Sequence, residues 1–136
     1  LHRRYALSVF RHPSAREIGA SDLPRVGGKA LALAALSRAG LRIPDFFCVT
    51  TDAYRAFQDA TGLRGRILHE SYVNIRGTEA VVEHVRMVWA SLWSDAALFY
   101  RQELGLDAAR SVMAVVVQGL VAGRASGVCT VGSGDL

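Results

Sequence analysis

At 136 residues, half of them hydrophobic and only three of them proline, the chain is large enough to bury the core of one ordinary domain, which excludes a disordered tail. Its formal charge of +4 rests on scattered basic side chains, a pattern that suits acidic small ligands or solubility as well as nucleic acid, and the lack of a basic stripe makes a nucleic-acid partner the weakest of these readings. No apolar run approaches a membrane span and the N-terminus lacks a signal-peptide core, so the expectation is a soluble cytoplasmic protein, or part of one, without a membrane partner.

The chain opens on leucine, which hints at a start inside a longer reading frame, and Tyr5 to Phe10 suits a short edge strand. Ser21-Asp22-Leu23-Pro24 reads as a turn. It feeds Val26-Gly27-Gly28-Lys29-Ala30, in which Lys29 is the only lysine beside fifteen arginines. An ammonium on a flexible stem acts as a point charge, and a planar guanidinium does not replace it. Gly27 and Gly28 allow close backbone approach, and a helix start offers free N–H groups to an anion. The chemistry is that of a phosphate clamp, although spacing alone does not separate it from a plain turn and helix start.

Lys29 to Ala39 holds strong helix formers, with Gly40 placed for a left-handed cap and Pro44 soon after. Leu33 and Leu36 with Ala32 and Ala39 form a narrow apolar face suited to close packing on a sheet. Phe46 to Thr50 is a continuous apolar run of strand length. Thr51 is placed to cap a second helix, with Ala53, Tyr54 and Phe57 inward and an end near Gly62.

The run from Val26 to Phe57 resembles the N-terminal ATP-binding domain of phosphoenolpyruvate synthase, pyruvate phosphate dikinase and rifampicin phosphotransferase. That family's pattern is V-G-G-K-x, then A-G-x-x-V-P-x-G-F, then T-x-x-A-Y-x-x-F, and Phe46 stands where it usually has glycine. The resemblance implies an α+β, partial ATP-grasp-like fold, helices on a mixed or antiparallel sheet, with ATP as the ligand. It also implies that Lys29 contacts ATP phosphate, with Gly27 and Gly28 beside it.

Between Gly62 and Tyr72 the pattern is shortened, with Arg64 and Arg66 in place of a longer segment that carries a phosphate-binding arginine and a glycine-rich lid. The match resumes at His69 to Gly77, where Ser71 takes the place of a hydroxyl residue that approaches the phosphates. Loss of an arginine and a lid removes groups that position and neutralise a transferring phosphoryl group. Thr78 is then a candidate cap for a long helix with Glu79 in its first turn. Val81, Val85, Val88, Leu92, Ala96 and Phe99 form its stripe, widened by Trp89, Trp93 and Tyr100. Ser94 restarts or bends it, Gly105 ends it, and His84 falls on the polar side. The string VWASLWSDAALFYR again resembles the family.

Ser111 to Gln118 reads as a buried strand, with Ser126 to Val131 as its partner across a turn at Ala122 to Ala125. The family has V-V-V-Q-x-M-V and A-x-x-S-G-V-x-F-T here, and Leu120 and Cys129 replace its methionine and phenylalanine. By that match Gln118, Leu120 and Val121 border adenine. Cys48 and Cys129, both in apolar runs, read as unpaired buried thiols. Mg2+ is expected for the family, but its ligands lie beyond this sequence, and Asp135 reads as a turn residue. None of His2, His12, His69 or His84 stands in the T-S-H context of the family's phosphorylated histidine.

The organisation expected is therefore an N-terminal nucleotide-binding lobe over 1–62, a shortened junction over 63–70, and a helical stretch plus adenine-side hairpin over 71–136. The implied function is the ATP-binding part of a dikinase that moves phosphate from ATP to an enzyme histidine and on to pyruvate or a related acceptor. Its histidine-carrying and pyruvate-binding domains would lie on a longer or separate chain. The alternative is a non-catalytic binding or regulatory module derived from the same fold.

Overall fold

The computed structural model describes residues 12–61, 72–107, 111–125 and 127. A 3-10 turn at Ala20–Asp22 leads into α1 (Leu23–Arg38), β1 (Phe46–Val49), α2 (Thr51–Thr61), α3 (Thr78–Ser91), α4 (Asp95–Glu103) and β2 (Val115–Gln118). β1 and β2 pair antiparallel, with Phe46 opposite Gln118 and Val49 opposite Val115. The result is a mixed α+β fold in which helices pack against a small antiparallel sheet. The edge strand expected at Tyr5 to Phe10, the junction at 63–70 and the hairpin partner at Ser126 to Val131 lie outside the described residues, as does Cys129.

The strand is apolar throughout because both of its faces are covered. Phe46 and Cys48 point to one cluster, where they meet Ile18, Val26, Ala30 and Ala34. Val49, with Phe47 packed alongside, belongs to a second cluster built from Ala53, Tyr54, Val85, Trp89 and Leu92. β2 divides the same way, Ala114 and Val116 toward the α1 side and Val115 and Val117 toward α2 and α3. Alternation within a continuous hydrophobic run thus builds a helix–sheet–helix sandwich.

α1 reaches the sheet through alanines. Ala30 and Ala34 are fully buried, while Leu36 and Ala32 face outward, so the expected face of Leu33, Leu36, Ala32 and Ala39 is turned. The smallest side chains occupy the line of closest approach, and Leu31 and Leu33 pack at its margins. Helix α1 ends as expected: Gly40 has φ 84, its N–H donates to the Ser37 carbonyl, and that of Leu41 donates to Leu36. This is a Schellman cap.

Two expected caps belong to the preceding residue. Thr51 is the first residue of α2, and its hydroxyl donates to the Pro24 carbonyl instead of receiving its own helix's N–H. Thr78 is the first residue of α3, and Gly77, at φ 87, holds the cap position. Ser94 does restart the helix, its Oγ accepting the Ala97 N–H at 3.2 Å.

That break changes the phase of the stripe. Val85, Trp89 and Leu92 are buried, but Phe99 and Tyr100 in α4 are more than 60% exposed. Trp89 is wholly core, edge-on to Tyr54 and donating its indole N–H to the Met113 carbonyl at 3.2 Å. His84 is half-buried, with Nδ1 2.7 Å from the Ala80 carbonyl and its ring edge-on to Tyr72, so it is not a freely solvated surface group. No helix among the described residues is long and apolar enough to cross a membrane.

Candidate functional site

Pro24 occupies the first turn of α1, where a missing N–H costs nothing. Helical geometry then fails at Gly27, whose φ of 75 and ψ of 166 belong to a region only glycine enters readily. The helix resumes at Gly28, so the kink opens a second helix start inside α1, and a helix start is where first-turn N–H groups lack intrahelical carbonyls. A Cβ built on Gly28 would meet nothing within 4 Å, which leaves the surface above this backbone open. Lys29 is exposed, and among the described residues it has no ion pair or hydrogen bond. An open glycine backbone, a helix start and an uncommitted ammonium fit a phosphate group.

The turn is held from behind by groups distant in sequence. The buried thiol of Cys48 reaches the Val26 carbonyl at 3.4 Å, and Thr51 Oγ1 donates to the Pro24 carbonyl at 3.1 Å. Arg25 Nε donates to Asp52 Oδ2 at 2.9 Å, with Asp22 and Arg55 completing a surface chain of charges. The hydrogen bond that Arg25 donates to Asp52, then the charge of that carboxylate, holds the guanidinium above its ordinary value. At this exposure such pairs contribute about 1 kcal/mol or less each. Burial pushes the Cys48 thiol up to about 11, so it is an inert packing group and not a nucleophile. Sequence reasoning did not assign Cys48 and Thr51 to this turn, since nothing local pairs residues over twenty positions apart.

Gly27 lies beside the start of β2, for a Cβ added there would meet Ala114 Cβ at 3.9 Å. Gln118 lies at the other end of β2, opposite Phe46, and the ladder continues from the Gly119 N–H to the Asp45 carbonyl at 2.8 Å. Four residue steps lead from Ala114 to Gln118, roughly 13 Å at the usual rise. Gly27 to Lys29 and Gln118 to Val121 are therefore joined by a single strand and are not in contact. Gln118, Leu120 and Val121 are all exposed, the two apolar side chains by about two thirds of their surface. Ser71, like Arg64 and Arg66, lies outside the described residues.

A cleft of about 130 Å³ between Pro13, Glu17, Asp22 and Arg25 is below the roughly 300–1,000 Å³ of small-molecule pockets, and neither Gly27 to Lys29 nor Gln118 to Val121 lines it. Among the described residues no three or more His, Cys, Asp or Glu side chains gather in a way that could hold a metal ion. The described residues offer no side-chain set that fits a protein-held Mg2+.

The family model for the pyruvate phosphate dikinase AMP/ATP-binding domain matches residues 23–71 and 68–132, in two segments that meet where the junction is short. Phosphoenolpyruvate synthase of Aeropyrum pernix is 30% identical over 188 residues, covering 82% of this chain and 23% of the relative. A rifampicin phosphotransferase of Streptomyces sviceus is 28% identical over 196 residues, covering 92% and 22%. The probable phosphoenolpyruvate synthase of Methanothermobacter thermautotrophicus is 44% identical over 59 residues, covering 43% and 9%. The chain spans about a fifth of the length of the first two relatives.

Proposed function

Because the chain belongs to the family of the pyruvate phosphate dikinase AMP/ATP-binding domain, we propose that it is an ATP-binding module whose phosphate clamp is Gly27-Gly28-Lys29. The observation that carries this reading is the glycine-only kink at Gly27 beside an open Gly28 backbone and an uncommitted Lys29. The Lys29 ammonium neutralises a phosphate oxygen, and the N–H groups of the restarted helix orient it. Gln118 supplies the amide that recognises the adenine edge, while Leu120 and Val121 cover its apolar faces. Ser71 adds a hydroxyl to the phosphates. The separation along β2 suits a ligand with a base at one end and phosphates at the other. Mg2+ enters no step here.

In the finer reading, the site belongs to a dikinase in which phosphate passes from ATP to an enzyme histidine and then to pyruvate or a related acceptor. The acceptor histidine and the pyruvate-binding part belong, in this proposal, to a longer or separate chain, and the lobe, junction and hairpin divide as 1–62, 63–70 and 71–136. A second reading, a binding or regulatory module without phosphoryl transfer, is favoured by the two-segment family match at the shortened junction.

Calorimetric titration of ATP, with and without magnesium, into the folded chain and into Lys29→Ala tests the clamp. We expect Lys29→Ala to weaken binding tenfold or more, about 1.4 kcal/mol. Equal affinity of the two folded proteins would reject the clamp. Release of phosphate to a histidine-bearing partner would decide for the dikinase against the non-catalytic module.

A further inference from the structure

Arg101, in α4, is 7% exposed. Its Nε–H donates to the Ala97 carbonyl at 3.0 Å, and its guanidinium carbon lies 5.9 Å from the centre of the Trp93 ring. Both terminal nitrogens, Nη1 and Nη2, are shut off from solvent and have no hydrogen-bond partner among the described residues. A guanidinium cannot shed its charge, and an aromatic face offers no lone pair to its four remaining N–H donors. Buried cations in folded proteins are paired as a rule, because an unpaired one is strongly destabilising.

The position of Arg101 in the fold is informative. Trp93 donates its indole N–H to the Tyr54 hydroxyl at 3.1 Å, so Arg101 sits against α2. α2 ends at Thr61, shortly before the point where one family match stops and the next begins. The alignment to the Aeropyrum protein runs over 188 residues, longer than this whole chain, so that relative carries additional residues within the aligned span, and the break between the two family matches is where we place them.

We propose that Arg101 is a carboxylate seat. Its Nη1 and Nη2 form the fork that receives an Asp or Glu carboxylate from the segment that the relatives carry between the two matched stretches, and in this chain the same seat takes a small free carboxylate. Two parallel N–H···O bonds would satisfy the fork and neutralise the charge together. The Trp93 ring beneath it fixes the guanidinium plane.

The first test is thermal unfolding of the wild-type chain in sodium formate against sodium chloride at equal ionic strength, which cancels general screening. Formate raises Tm saturably, by ~3 °C or more, acetate raises it less, and butyrate, too large for a closed seat, does not. Arg101→Met loses this response and melts above formate-free wild type, because an apolar side chain of similar length removes an uncompensated charge. Equal behaviour in formate and chloride, or an Arg101→Met protein that melts lower in their absence, overturns the proposal. The second test grafts the additional segment of the Aeropyrum synthase into the 68–71 junction. In a graft that circular dichroism shows to be folded, the formate response disappears and Arg101→Met now lowers Tm. A folded graft that keeps the full formate response refutes the segment as the source of the carboxylate.

Discussion

Substituting alanine at Gly27 isolates the backbone geometry on which the clamp depends. At φ 75 and ψ 166 a side chain is strained whatever the space around it, at about 1–3 kcal/mol. Space is not the obstacle, because the new Cβ would stand 3.9 Å from Ala114 Cβ, an ordinary contact. Reduced freedom of the unfolded chain returns about 0.4–1 kcal/mol, so the net loss is about 1–2 kcal/mol. With a urea m-value of about 1–3 kcal/mol/M, the midpoint falls by roughly 1 M at unchanged m. Gly28→Ala is the internal control. Its backbone is not in the left-handed region and nothing lies within 4 Å, so it is neutral or stabilising by up to about 1 kcal/mol. The same methyl nevertheless covers the surface assigned to phosphate, so ATP affinity falls while stability does not. A Gly27→Ala protein as stable as wild type would refute the kink and the helix start that it opens.

The other expectations concern packing and pH. The folded Cys48 thiol titrates at about 11 against an ordinary 9.0, so the unfolded chain loses this proton first and the associated stability is full below pH 9. It declines as pH rises from there through the folded value. Denaturant titrations of wild type and Cys48→Ala from pH 8 to 11 check this, and the decline is shallower in the variant, with the buried Tyr54 hydroxyl, also raised by burial, providing the remainder. On α1, Ala34→Leu forces three heavy atoms into a fully buried position and costs about 1–3 kcal/mol. Leu36→Ala, at an exposed position, stays within about 1 kcal/mol in the same urea assay. A reversed order would mean that the other face of α1 meets the sheet.

Several parts of the molecule were legible in the residues because their causes are local. Gly40 and Gly105 end helices through positive φ, and Ser94 caps α4 through its own hydroxyl. The run at Phe46 had to be buried, since no strand with apolar residues on both sides tolerates water on either. The V-G-G-K turn and the strings around Phe57 and Trp93 carry the family resemblance in short contiguous motifs, and the match over residues 23–132 bears it out.

What the sequence left open was decided by contacts between distant residues. Periodicity placed a helix after Gly28 but picked the face of Leu33 and Leu36, because Ala-Leu alternation offers two apolar faces and only the sheet's proximity selects the smaller one of Ala30 and Ala34. Thr51 and Cys48 turned to the carbonyls of Pro24 and Val26 across more than twenty residues, and that is what holds the glycine kink in place. Nothing in the sequence singled out Arg101, until the fold laid it over Trp93 and closed its fork away from water. Local chemistry determined the elements and the ancestry. The tertiary structure alone decided which carbonyls are taken, which faces are covered and which charge is left without a partner, because each depends on residues that only packing brings together.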